Sequence, residues 1–301
     1  MCNCEKVKTL EDIITGNLND IWLKMYVYIA RVMVEEYGIE GEAALRRGLR
    51  NFGHDRGKTL RNEQLALGMK INMYNLWTYY DLPGDNRFKR NKIRLNTQER
   101  ISQTLVCPMA NMWINMDAKK LGAIYCDEFH PAMFEGYNPK ITTNLGETLT
   151  HDTDDHCHFA LYLRPANMTP EERKEAFEEF DPSFDKNAVG QYVMRTAREG
   201  YNMLTIKLYY HLVKETIENF GEGSIEKIAT ATKLWARDSA EFMKERAIAV
   251  GTTPNDSFLK DNCPVSMNIE EDTLWDNYSD YNIKEILHNN FHSTFKAAII
   301  N

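Results

Sequence analysis

The chain resembles itself over a long stretch, which limits its folding more than any other feature does. Lys24 to Gly68 aligns without a gap on Lys207 to Gly251, at an offset of 183. Lys24/Lys207, Tyr26/Tyr209, Gly38/Gly221, Asp55/Asp238 and Gly68/Gly251 are identical pairs. Met25/Leu208, Ile29/Leu212, Tyr37/Phe220 and Phe52/Trp235 are similar apolar pairs. Two amphipathic helices share a period by their nature. Turn glycines at matching positions are not required by that period, so we read an old duplication of a helix pair. Its two copies are expected to pack as a pseudo-symmetric helical layer.

Around the repeat, the pattern predicts helix. Thr9 stands three residues before Asp12, a capping-box spacing, and Trp22, Met25, Ile29, Val32 and Met33 recur at helical intervals. Gly38 should end the first helix; a second is expected over 42–68 and a third over 69–80, broken by Leu82-Pro-Gly-Asp85. Between the copies, 139–164 reads as β. Ile141–Leu145 and Glu147–His151 are β-prone on either side of Gly146, and Thr153–Asp155 makes a turn. His156–Leu163 alternates as a strand, with Cys157, Phe159, Leu161 and Leu163 on one face and His156 and His158 on the other. Pro170–Phe180 should be a charged helix behind Thr169. The last fifty residues should be short helices anchored by Trp275 and Tyr278. The expected fold class is α+β: predominantly helical, a small antiparallel sheet, and a second helical segment resembling the first. The expected division is a core domain over 1–165 and a helical segment over 166–301.

Composition narrows the function. Hydrophobic residues make up 43% and charged residues 27%, a globular balance. A net charge of −8 disfavours nucleic acid and anionic membrane as partners, because both repel it. No apolar run approaches the roughly 20 residues of a membrane span, and the first residues lack a signal-peptide core. The expected compartment is the cytoplasm. The six cysteines, at 2, 4, 107, 126, 157 and 263, then read as thiols or metal ligands rather than disulfides. Cys2-Asn3-Cys4 is too tightly spaced for the usual zinc half-site.

Four places could carry chemistry. Arg50, His54 and Gly57 share a helical face, in a copy loaded with Arg and Gly where the second copy is bland. That face is either an anion site or a solvated basic surface packed through Gly53 and Gly57. Cys107-Pro108 stands where a helix begins, a position that favours thiolate; the alternative is a small buried hydrophobe. Cys126-Asp-Glu-Phe-His130 brings thiol, carboxylate and imidazole within five residues, for ionising a thiol, relaying a proton or holding a metal; the alternative is a polar helix end or loop with Cys126 packed inward. His130 precedes Pro131 and is expected to be extended. The run from His151 to His158 is the densest cluster. His156 and His158 could share a divalent metal such as zinc, helped by His151 or Asp154, with Cys157 pointing the other way. The alternative is a polar hairpin rim with Cys157 in the core. No cofactor is required by the sequence.

Three features in order then resemble the L-2-amino-thiazoline-4-carboxylic acid hydrolase family: Cys107-Pro108, Leu121-Gly122 leading to Tyr125-Cys126, and Thr153-Asp-Asp-His-Cys157-His-Phe159. The helix with Gly53, Arg56 and Gly57 resembles that family's arginine/glycine helix. The resemblance covers 46–164. Thr153 stands where the family pattern favours Gly. The cysteine-centred part is similar, more distantly, to vinyl-reductase-like ligand-binding domains. The resemblance implies hydrolytic opening of a cyclic amidine-like ring, at a C–N or C–S bond, in a substrate bearing a carboxylate. It implies Asp127 as base and Arg56, with Arg50 and His54 behind it, as substrate clamp. Cys126 would be nucleophile or metal ligand; Cys107 and Cys157 would be further zinc ligands or packing thiols. The rival reading is a sensor or carrier that binds a small molecule without turnover and holds a structural metal. Either way the partner is a small molecule, and self-association into a homo-oligomer is left open. A nucleotide-dependent reductase is disfavoured, since no Gly-x-Gly-x-x-Gly follows a strand.

Overall fold

The structure, a computed structural model, describes residues 9–269 and 272–300, so Cys2 and Cys4 lie outside the described residues. In chain order come α1 (Leu10–Ala66), α2 (Met73–Thr78), β1 (Lys89–Leu95), β2 (Glu99–Val106), α3 (Pro108–Asn115), α4 (Lys119–Tyr137), β3 (Ile141–Glu147) and β4 (Cys157–Leu163). α5 (Pro170–Ala176), α6 (Ala197–Phe220), α7 (Ser224–Ala249), α8 (Asp256–Asn262), α9 (Ile283–Leu287) and α10 (Ser293–Ile300) follow. This is the expected α+β architecture, with one antiparallel sheet in the order β1-β2-β4-β3. No helix among the described residues is long and apolar enough to cross a membrane.

Thr9 and Asp12 form the expected capping box at the start of α1. Gly38, at φ +56°, interrupts α1 and divides it into two arms. Gly221, at φ +73°, makes the matching break between α6 and α7, and Gly68 and Gly251 both adopt positive φ after the second arm of each copy. The two copies also bond each other reciprocally. Lys24 Nζ reaches Asp238 Oδ1 at 2.5 Å, and its counterpart Lys207 Nζ reaches Asp55 Oδ1 at 2.8 Å. Tyr28 donates to Asp238 at 3.1 Å, while His211, 183 positions on, meets Asp55 at 2.9 Å. Tyr37 and Phe220, also counterparts, stack on each other with centroids 3.8 Å apart. Exchange of equivalent contacts is what an approximate two-fold relation between copies produces.

A single hydrophobic core runs from α1 through α4 and β4 to α6, α7 and the C-terminal anchors Trp275 and Phe291, so the apolar interior does not divide at residue 165.

Several elements differ from expectation. The β1–β2 hairpin was not foreseen. β1 is a nearly fully exposed edge strand rich in Lys and Arg, a device that blunts edges and hides the alternation. Asn96 closes the hairpin by accepting from the backbone of Gln98 and Glu99. β3 runs through Gly146 and stops at Glu147, so 148–151 is not a strand; there Asp154 accepts from the Thr148 backbone and ties the segment into a loop. The third helix shrinks to α2, capped by Asn72. α5 ends at Ala176 and a 3-10 turn carries the chain to Phe180. Pro131 lies inside α4, so His130 is helical rather than extended. Packing of α4 along α1 holds the helix on both sides of the proline.

Candidate functional site

The sheet and the helices do not meet everywhere. Between them lies a cavity of about 400 Å³. Pairing of Arg100 with Leu161, Ser102 with Phe159 and Thr104 with Cys157 puts these residues on one sheet face. That face presents Arg90, Arg100, Thr104, Cys157 and Phe159 to the cavity. α4 supplies Tyr125, Cys126, Phe129, His130 and Met133 from the opposite wall, and α1 supplies Trp22 and Arg56. Cys107, at the N-cap of α3, completes the lining thiols.

Glycines set the distance between these walls. A Cβ on Gly57 would stand 2.1 Å from the Met133 carbonyl, and one on Gly53 would stand 2.8 Å from the Phe129 carbonyl. The Gly53/Gly57 face is therefore a close-packing seam against α4, one of the two readings the sequence left open.

The charged groups around the cavity fall into two kinds. Arg56 is spoken for: its Nε and Nη2 each donate to Asp81 at 2.8 Å, in a pair whose side chains are only 6% and 2% exposed. Burial alone would depress the guanidinium; Asp81 outweighs it and keeps Arg56 firmly charged. Arg100 and Arg90 have no carboxylate partner among the described residues. Arg100 is 8% exposed and lies flat over Trp77, 3.1 Å from the ring centroid. Burial, then the like charge of Arg90, pushes it down to about 9. A guanidinium is too basic to lose its proton near neutrality, so the pair stands as positive charge that no carboxylate among the described residues binds directly. Arg90 keeps solvent-accessible surface on the edge strand, and burial around its guanidinium lowers it too.

His130 lies among Phe129, Phe134 and Phe159. Burial first, then the charges of Arg56, Arg90 and Arg100, pushes it down to about 3, so the imidazole is neutral at physiological pH. The thiols go the other way. Burial raises Cys107 to about 11 despite favourable backbone N–H groups at the start of α3, which corrects the expectation of a helix-stabilised thiolate. Burial likewise raises Cys126 and Cys157. Four buried polar atoms in cavity-lining residues have no hydrogen-bond partner among the described residues: the indole N–H of Trp22, Trp77 and Trp113, and the Tyr125 hydroxyl.

The other residues singled out from sequence lie elsewhere. Arg50 and Arg46 both bind Glu128 of α4, at 2.5 and 2.8 Å, and His54 faces Glu135 at 3.5 Å. The basic face of α1 is thus answered by acids of α4. Asp127 is exposed, 3.8 Å from His151, and does not line the cavity. His156 is held by Asp155 at 2.6 Å and Glu147 at 2.9 Å; the hydrogen bond to Asp155, above all, raises its pKa. His158 faces away from the cavity, as the alternation predicted, while Cys157 faces into it. Among the described residues no three His, Cys, Asp or Glu side chains group in a way that could hold a metal ion.

Of Arg56, Cys107, Cys126 and Asp127, the residues sequence reasoning expected to converge on one pocket, the first three line the cavity and Asp127 does not; Cys157 lines it as well, and Arg90 and Arg100 were missed. Their signal was weak: two of many basic residues around an unrecognised hairpin. A run of Arg and Lys next to Trp77 and Tyr80 was the available hint.

Residues 19–161 match the model of the L-2-amino-thiazoline-4-carboxylic acid hydrolase family, a stretch that extends the resemblance toward the N-terminus and contains nearly all of the cavity lining. No curated protein and no solved structure matches the chain.

Proposed function

We propose, from the match of residues 19–161 to the model of the L-2-amino-thiazoline-4-carboxylic acid hydrolase family, that this chain hydrolyses a cyclic amidine bearing a carboxylate. The observation that carries the reading is the gathering of two counter-ion-free arginines, a neutral imidazole and three protonated thiols around one cavity. The substrate carboxylate sits on Arg100 and Arg90, where a guanidinium fork fits it. Water adds to the amidine carbon and forms a new C–O bond. His130 takes a proton from that water as general base. Asp127, the base implied by the family resemblance, does not line the cavity. His130 passes the water proton to the amidine nitrogen; as the tetrahedral intermediate collapses to C=O, its hydroxyl proton moves through His130 to the leaving heteroatom and the ring C–N or C–S bond breaks. The product is a carbamoyl amino acid, and protons balance over the cycle.

The arginines and His130 are coupled in this scheme. Their positive charge is part of what keeps the imidazole a weak base. A bound carboxylate offsets that charge and raises the basicity of His130 as the substrate arrives. Arg56, tied to Asp81, holds the wall instead of clamping substrate.

The test is incubation with L-2-amino-thiazoline-4-carboxylate, with and without added zinc. Mass spectrometry follows a product heavier by one water, and a thiol reagent follows ring opening at sulfur. Turnover lost in His130→Gln supports the scheme. Tight binding without turnover in any condition would make the same cavity a carrier or sensor site. Neither binding nor turnover would remove the reading.

A further inference from the structure

The cavity is much larger than an amino-acid-sized ring needs. About 400 Å³ falls within the range of sites that enclose ligands of roughly 300–1,000 Å³ class. Its walls are also unusual for a compact polar substrate. Ten aromatic side chains line it, with Met109, Met133 and Met194 between them. Trp77 and Tyr80 are nearly parallel, 4° apart in plane with centroids separated by 5.7 Å, and Trp77 carries the Arg100 guanidinium on its face. On the helical side Tyr125 meets Trp22 edge to face and Trp113 at a 50° tilt. A small ring held at the arginines would leave water lying against these faces, which apolar surface disfavours. A flat apolar body would displace that water and stack on them.

From this we infer that the natural ligand is an organic anion in which the carboxylate-bearing part is extended by a flat aromatic body. Its carboxylate lies on Arg100 and Arg90, and its body fills the volume between Trp77 and the Trp22–Trp113–Tyr125 group. The inference rests on the site reading above, and it names the substrate class of that site.

The experiment is isothermal titration of the full chain with a graded set: L-proline, benzoate, naphthalene-2-carboxylate and the neutral naphthalene-2-carboxamide. Naphthalene-2-carboxylate is expected to bind at least about tenfold tighter than L-proline. It should also bind at least about tenfold tighter than its own amide, since only the acid offers the arginines a counter-ion. Arg100→Gln should erase the preference for acid over amide. The acid–amide comparison in the unaltered chain keeps the test decisive if that variant fails to fold. Equal affinity for L-proline and naphthalene-2-carboxylate overturns the inference. If L-2-amino-thiazoline-4-carboxylate is turned over while the aromatic acid neither binds nor inhibits, the inference fails and the hydrolase reading stands. If no carboxylate of any size binds, both fail. Aromatic acid that binds tightly and competes with turnover supports both.

Discussion

The Arg56–Asp81 pair separates a structural from a substrate-binding role for the arginine that the sequence placed in the clamp. Both side chains are almost fully buried, and two parallel hydrogen bonds of 2.8 Å join them. Asp81→Asn keeps the shape but removes the negative charge, leaving a guanidinium buried without its counter-ion. Breaking a buried pair from one side costs about 3–5 kcal/mol. Arg56 also lies over Tyr80 and Phe129, at 5.1 and 5.7 Å, and these contacts soften the loss only partly. Urea unfolding followed by circular dichroism should therefore show Asp81→Asn less stable by about 3 kcal/mol or more. The double variant Arg56→Met with Asp81→Leu removes both charges and should recover much of that loss. Substrate or carboxylate affinity in Arg56→Lys should change less than in Arg100→Lys. An Asp81→Asn protein within about 1 kcal/mol of the parent would refute the claim that Arg56 is committed to Asp81.

Three further outcomes follow from the same geometry. Gly57→Ala should destabilise by about 1–3 kcal/mol or more, because its methyl would overlap the α4 backbone; unfolding midpoints check this, and Gly84→Ala, where a Cβ meets nothing within 4 Å, is the control. The buried His130 has a folded pKa depressed to about 3, so the unfolded chain binds more protons below its ordinary value, and stability should decline as pH falls from about 6.5 toward 3. His130→Phe should flatten that part of the pH–stability curve, and an unchanged slope would sink the assignment. Cys107 should react slowly with iodoacetamide at neutral pH and faster as pH rises toward 11, in contrast to a helix-activated thiol, which would react fully at pH 7.

What the sequence made legible was whatever depends on period and punctuation. Helical spacing, the capping box at Thr9 and the turn glycines at 38, 68, 221 and 251 all appear in the structure where the pattern put them. So does the alternation that turns Cys157 inward and His158 outward. The gathering of Arg56, Cys107 and Cys126 was also readable, through the family resemblance, though Asp127, expected with them, stays outside the cavity lining. The Arg90/Arg100 anchor was not, because its meaning lies in what is missing around it. Arg46, Arg50 and Arg56 look like equal candidates in sequence, yet each has an acid partner from a distant element: Glu128 for the first two, Asp81 for the third. Only the fold reveals which cations lack one. The hairpin that carries them was hidden for a related reason. An edge strand with solvent along most of its length needs no hydrophobic face, so β1 has little period to detect.

The duplication accounts for why one copy carries the site and the other does not. Asp55 and Asp238 are equivalent and receive equivalent lysines, yet their surroundings have diverged. Asp238 accepts from Lys24 and Tyr28. Asp55 accepts from Lys207, His211 and Tyr278, the last brought in by the C-terminal segment. Burial alone would raise the Asp55 carboxyl, but His211, Lys207 and Tyr278 together hold it well below the usual range. Its stabilising effect is therefore present above the ordinary carboxylate pKa of about 4 and is lost as pH falls toward the depressed folded value. Directly after Asp55, copy one has Arg56 and Gly57, the latter against α4, where copy two has Ser239 and Ala240. The extra partners of Asp55 thus fix the stretch of α1 that forms the cavity wall. Asp55→Asn should cost about 3–5 kcal/mol, and Asp238→Asn, with fewer partners, about 1–2 kcal/mol. Because the reciprocal pairs share the α1–α6–α7 interface, the double variant should deviate from additivity by about 0.5 kcal/mol or more. Equal costs for the two substitutions in urea unfolding would mean that the copies remain equivalent at this position, and that the site's asymmetry arises from the sheet and α4 alone.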